Sequence, residues 1–308
     1  MQIGQHKLTN NLILAPMAGI TDLPFRKLCR RFGAGLTISE MLDCNLHLRH
    51  KRGTCRRLIF AANESPCCVQ ISGNNAMDMA DMAKFCVENK AEIIDINMGC
   101  PAPKICKKNA GAAWMKNEKA AAEMLAQVVN AVEVPVTVKI RTGWDQQHKN
   151  ALQIAKIAEQ SGIQAITIHG RTQADSYAIS AEYDTAKVIK QLVEIPVIVN
   201  GDIDTQKKLQ MVVQETQADG FMIGRAALGR PWIFAELLGK TVAVDLPELI
   251  AEHLQMMHEF YGEKIGVLQA RKHVGWYLQH NQQGKALGQK FNTLQTTTQQ
   301  LKFVAKLS

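Results

Sequence analysis

The chain has 308 residues, 46% apolar and 21% charged, which is too apolar for a disordered chain and long enough to bury a core without disulfides or a structural metal. No apolar run approaches the ~20 residues of a membrane helix, and Met1 to Asn11 carries no signal-peptide core, so a cytoplasmic protein is expected. Lys plus Arg total 36 against 28 Asp plus Glu, a formal charge of +8 that suits a polyanionic partner or simple solubility.

Short β-branched runs recur along the chain with helical patterns between them, the signature of βαβ units and a parallel sheet. The predicted strands are Leu12 to Ala15, Leu36 to Ser39, Cys67 to Gln70, Ile93 to Asn97, Val136 to Lys139, Ala165 to His169, Val197 to Asn200 and Gly220 to Ile223. Helical patterns cover Pro24 to Phe32, Ala76 to Glu88, Glu118 to Val132 and Ala151 to Glu159. Eight strand–helix units in this length predict an α/β protein built on a TIM (β/α)8 barrel, with a doubly wound sheet as the competitor. Strand signals stop after Phe234, and from Leu246 the pattern is helical. A barrel domain over 1–243 and a small all-helical C-terminal domain over 244–308 are therefore expected.

All eight cysteines fall between Cys29 and Cys106 without a C-x-x-C spacing, which points to reduced thiols. His47 and His50 lack partners to complete a metal set, so no metal is expected. Basic residues cluster at Arg49, Lys51, Arg52, Arg56 and Arg57, and again from Lys264 to Ser308, where no carboxylate side chain interrupts them. Either stretch is a solvated face or a surface for a polyanion.

The ends of the predicted strands are unusually polar. In a TIM barrel these ends build the active site. Gln70 closes the third, Asn97 to Pro101 the fourth, Lys139 to Arg141 the fifth, His169 to Arg171 the sixth, Asn200 to Asp202 the seventh, and Gly224 with Arg225 the eighth. The glycines at the seventh and eighth ends let backbone N–H groups approach a phosphate, and Arg225 adds a forked charge. Neither a G-x-G-x-x-G nor a P-loop occurs. Lys139 places a cation where an electron-rich ring would be stabilised. Cys100, in a Gly-Cys-Pro turn at the mouth, offers a thiol proton to a carbanion, whereas Cys29, Cys67 and Cys86 read as packing residues.

With APMAGITDLPF at 15–25, DINMGCP at 95–101, KIRTGW at 139–144, HGRT at 169–172, NGDI at 200–203, MIGRAALGRPWIF at 222–234 and RKHVGWYL at 271–278, the chain resembles the tRNA-dihydrouridine synthases, and within them the bacterial B-type enzymes. The resemblance spans nearly the whole chain. It implies FMN-dependent reduction of specific uridines in tRNA with NADPH, or NADH, as electron donor, hydride passing from flavin N5 to uracil C6 and a proton from Cys100 to C5. It implies that Pro16, Met17, Ala18, Gln70, Lys139, Asn200, Gly201, Asp202, Gly224 and Arg225 hold the flavin, with His169 at its phosphate or beside the substrate. Asn97 and Arg141 would contact the uracil edge, and Arg271 and Lys272 the tRNA. The partner is then tRNA, with no membrane and a monomer assumed. Ile179, Trp114 and a short segment near Gly239 to Leu246 depart from the family pattern. The competing readings are a flavin-dependent reductase of a free pyrimidine, a flavin-free phosphate-binding barrel isomerase or lyase, and a non-catalytic RNA-binding protein.

Overall fold

The computed structural model describes residues 1–279 and 284–307. A short antiparallel hairpin, β1 (Gln2–Ile3) and β2 (His6–Lys7), precedes the barrel. The barrel strands are β3 (Leu12–Leu14), β4 (Leu36–Thr37), β5 (Leu42–Asp43), β6 (Cys68–Ser72), β7 (Ile93–Met98), β8 (Val136–Arg141), β9 (Ile166–His169), β10 (Val197–Asn200) and β11 (Gly220–Ile223). They pair in parallel in the order β4-β3-β11-β10-β9-β8-β7-β6-β5. A parallel bridge between Ile38 and Cys68, with Ser39 N–H donating to Cys68 O at 3.0 Å, joins the two edges into a ring. β4, with the bridge at Ile38, covers the predicted second strand, whereas β5 lies beyond it and was not expected. The break at Ser39 to Met41 frees Glu40 to accept from the Gly19 N–H and to pair with Arg57 at 3.6 Å.

Alternation along the strands decides what faces where. Leu12, Leu14, Val69, Ile71, Ile94, Ile96, Val138, Ile140, Ile166 and Ile168 pack outward into the core shared with the surrounding helices. The opposite parity begins with Ile13, Cys68, Ile93, Ala165, Ile198 and Met222, a separate cluster inside the barrel that the hairpin residue Ile3 closes from below. The same parity, continued toward the C-terminal ends, carries Gln70, Asp95, Asn97, Thr137, Lys139, Arg141, His169 and Asn200. The floor of the barrel is apolar and its upper half is polar.

After the helix Ile233–Leu237, the chain ends in helices Leu246–Tyr261, Glu263–Leu278, Gly284–Asn292 and Thr297–Val304. Asp245 caps the first by accepting from the Glu248 N–H, and Gly262, at φ +77°, makes the sharp turn into the second. Thr296 and Gln299 form a capping box on the last. These helices share a core of Leu249, Ile250, Leu254, Met257, Val274, Tyr277, Phe291 and Val304, to which the barrel contributes Leu28. Leu28 lies on the first barrel helix, Leu23–Arg31, so that helix is the seam between the two parts. Among the described residues no helix is long and apolar enough to cross a membrane.

Candidate active site

A cavity of about 650 Å³ opens at the C-terminal ends of the strands, within the usual size of a cofactor pocket. Its lining brings together Pro16, Met17, Ala18, Gln70, Asn97, Cys100, Lys139, Arg141, His169, Asn200, Gly201, Asp202, Gly224 and Arg225. Arg271 and Lys272 lie elsewhere, on a shallow groove with Gly275, Trp276, Gln279 and Asn292. The two regions approach each other at the Pro16 to Ile20 loop, where a Cβ on Gly19 would stand 3.6 Å from Lys272 Nζ.

One wall of the cavity is a buried polar chain. Thr137 Oγ1 donates to Asp95 Oδ1 at 2.7 Å, and Gln70 Nε2 donates to Asp95 Oδ2 at 2.7 Å. Asn97 Nδ2 then donates to Gln70 Oε1 at 2.8 Å, while Asn97 Oδ1 accepts from the Cys100 N–H at 2.9 Å and the Gly99 N–H at 3.2 Å. Burial raises the Asp95 carboxyl, opposed by its Thr137 and Gln70 hydrogen bonds and by Lys139. Because Asp95 takes donors on both oxygens, the Gln70 amide is fixed with its nitrogen toward Asp95 and its oxygen toward Asn97. The orientation of the Cys100 turn is therefore set from the middle of the barrel. Arg141 supports the same turn by donating from Nε to Gly99 O at 2.8 Å and from Nη1 to Thr172 O at 2.6 Å.

Beginning beside that chain, at Lys139, the lining turns cationic. Lys139 Nζ donates to Asn200 Oδ1 at 2.9 Å, and Asn200 Nδ2 donates to Met222 O at 2.7 Å. Burial and the neighbouring Arg141 charge lower the Lys139 ammonium to about 8. Arg171, 1% exposed, donates to Ile179 O at 2.7 Å, to Asp202 Oδ2 at 2.6 Å and to His169 Nε2 at 3.1 Å. A guanidinium only donates, so His169 Nε2 accepts and the ring proton sits on Nδ1. Burial and the charges of Lys139, Arg141, Arg171 and Arg225 hold His169 neutral, far below its ordinary range. Arg225 Nη2 donates to Asp202 Oδ1 at 2.8 Å. Partial burial works against ionisation of Asp202, but the Ala181 N–H and the two guanidinium groups hold its carboxyl below the usual range.

Gly201 at φ +134° and Asp202 at φ +51° turn the backbone sharply after β10. The N–H groups of Gly201, Asp202, Gly224 and Arg225 find no acceptor within the described protein. This is a nest of donors ringed by cations, suited to a phosphate. Tyr177, 53% exposed on the loop after β9, covers this end, with Arg225 4.2 Å from its ring centroid and His169 stacked at 6.2 Å.

Sequence reasoning gave no role to Asp95, Thr137, Arg171 or Tyr177. The inward parity of β7 and β8 is the signal that would have found Asp95 and Thr137. Arg171 stands in the HGRT segment and was visible there, but its contact with Asp202 spans 31 positions. Of the atypical residues, Trp114 is buried and donates to Gly73 O at 2.8 Å, whereas Ile179 is exposed and serves Arg171 through its backbone carbonyl.

Residues 13–308 match the family described as dihydrouridine synthase (Dus). The chain belongs to the dihydrouridine synthase family. It is 52% identical over 97% of its length to a protein named tRNA-dihydrouridine synthase B from Pseudomonas syringae pv. tomato, covering 92% of that relative. It is 49% identical over 98% of its length to the protein of that name from Vibrio cholerae, covering 96% of it. A solved structure of 2-naphthoyl-CoA reductase with 2-naphthoyl-CoA shares the fold, with a TM-score of 0.62 at 9% identity over 78% of this chain and 52% of that one.

Proposed function

We propose that this chain reduces uridines in tRNA to 5,6-dihydrouridine, using FMN as its flavin and NADPH as its electron donor. Its relatives' names support the reaction, and one observation in the structure carries the reading furthest. A single cavity holds a cation-ringed nest of backbone donors at one end and a cysteine turn locked by a buried amide chain at the other.

The residues fit FMN. The four backbone N–H groups without an acceptor, with Arg225 and the His169 Nδ1–H, match a phosphate's oxygens. Lys139 and Asn200 offer a cation and an amide for the edge of the ring system, Gln70 a further amide, and Pro16, Met17 and Ala18 an apolar wall. When bound, FMN supplies the hydride that NADPH delivers, for addition at uracil C6. Cys100 Sγ passes its proton to C5, acting as the positioned general acid. Asn97 holds the Cys100 turn in place, and Arg141, with Nε and Nη1 already on backbone carbonyls, keeps Nη2 for the uracil edge. The helical part, 244–308, grips the RNA while the target base leaves its stack, with Arg271 and Lys272 on phosphates. Lys272 lies near Gly19, which supports a grip beside the mouth of the cavity.

The test is to map dihydrouridine in tRNA from cells with and without the gene, and to assay the purified protein on tRNA and on free uridine. Loss of dihydrouridine at a defined set of positions, restored by the gene, supports the proposal. Equal turnover of free uridine would return the free-pyrimidine reading, and colourless protein that cannot be loaded with flavin would remove both.

A further inference from the structure

Away from the cavity, at the seam between the barrel and the helical part, Asp22, His253 and His273 converge. They are 3%, 1% and 1% exposed. One ligating atom from each lies within 4.8 Å of the others. The two imidazole rings stand 4.7 Å apart, centroid to centroid, at 65°. Nε2 of both histidines is buried without a hydrogen-bond partner, and such orphans in a folded interior call for a water or an ion. We propose that Asp22, His253 and His273 form a binding site for one divalent transition-metal ion of the zinc class.

The chemistry of the donor set supports this. Two imidazole nitrogens and a carboxylate oxygen are a recurring three-ligand set for zinc, leaving a fourth position. A four-coordinate ion separates its ligand atoms by about 3.4 Å, so a contraction of at most about 1.4 Å from the observed spread closes the set. Both rings are buried, and the unpartnered Nε2 of each offers a lone pair for a metal.

The ligands are already held by surrounding contacts. His253 Nδ1 pairs with the Tyr277 hydroxyl at 3.1 Å, which leaves Nε2 to the ion. Asp22 Oδ1 caps the helix Leu23–Arg31 at Phe25 N–H, and Oδ2 accepts from the Tyr261 hydroxyl at 3.0 Å. A 180 Å³ pocket whose lining includes Gly19, Asp22, Arg26, Glu40, Arg56 and Arg57 reaches the Asp22 side of the cluster. The ion would tie the first barrel helix to two helices of the C-terminal part, beside the loop that lines the active-site cavity. Because these residues are far apart in sequence, no local spacing announces the site.

The experiment uses tag-free, full-length protein stripped of metal and then titrated with Zn²⁺ and with Co²⁺. The expected results are one ion per chain by mass spectrometry after dialysis, a rise of about 5 °C in Tm, and visible Co²⁺ bands of a four-coordinate nitrogen–oxygen site. His253→Gln and Asp22→Asn, the latter keeping a capping oxygen, should lose the ion, while His50→Ala should keep it. Should either variant fail to fold, X-ray absorption of the zinc-loaded wild type replaces it, with two imidazoles expected. Occupancy below about 0.1 per chain with an unmoved Tm overturns the proposal. So does an ion that His253→Gln and Asp22→Asn retain, or one with any other number of imidazoles.

Discussion

The Asn97 side chain holds the backbone of Cys100. Its Oδ1 accepts from the Cys100 N–H at 2.9 Å, and its Nδ2 is anchored to Gln70 at 2.8 Å, which is anchored in turn to Asp95. The Cys100 turn at the mouth is therefore tied to a carboxyl in the middle of the barrel. Asn97→Ala should leave flavin content intact and slow dihydrouridine formation by about 10²-fold, the effect of misplacing a reacting group by about 1 Å. Single-turnover rates on tRNA check this, and a rate within a few-fold of wild type would show that the turn holds itself.

Lys139 gives the site a pH dependence. Its lowered value of about 8 in the free protein means that the ammonium is lost as pH rises through 8. An anionic ligand binds the protonated form better, so FMN affinity should be greatest below pH 8 and weaken above it. Fluorescence titration of the flavin-free protein between pH 6 and 10 measures the trend. Lys139→Met should bind FMN more weakly and lack that step.

Stability should depend on a buried ion pair outside the cavity lining. Arg26 and Glu64 are 1% and 2% exposed, and Glu64 also accepts from Thr37 Oγ1 and the Ala61 N–H, both at 3.0 Å. Glu64→Ala strands a buried guanidinium and should destabilise the protein by about 3–5 kcal/mol in urea unfolding. A loss below about 1 kcal/mol would mean that the Thr21 and Ile59 carbonyls, at 3.0 and 2.9 Å, satisfy Arg26 without it.

On the helical part, replacing both Arg271 and Lys272 by glutamine should weaken tRNA binding and reduce the slope of log K against log salt by about 2, one counterion per lost phosphate contact. Flavin content should not change. An unaltered slope would make the shallow groove they line a solvated face.

Much of this arrangement is legible in the sequence because buried parallel strands read as apolar runs and their polar ends stand out. Gln70, Lys139, His169, Asn200 and Arg225 were visible in that way, as was the helical C-terminal part. The short strand Leu42–Asp43 was missed because Ser39 to Met41 interrupts the ladder after β4, where Glu40 accepts from Gly19 and pairs with Arg57. Arg171 stood at a polar strand end, but its role, like that of Tyr177, was not legible because it depends on how the loop after β9 folds over Asp202 and Arg225. The Asp22, His253 and His273 cluster was hidden for the same reason, since only the packing of the helical part against the first barrel helix assembles it.

The central claim, that Cys100 protonates uracil C5, is tested most directly by single-turnover oxidation of NADPH-reduced enzyme by tRNA. Cys100→Ala should keep its FMN, accept electrons from NADPH and bind tRNA, yet form dihydrouridine about 10²- to 10⁴-fold more slowly, the usual contribution of a positioned general acid. A rate within a few-fold of wild type would contradict the claim and leave Cys100 as a packing residue of the turn.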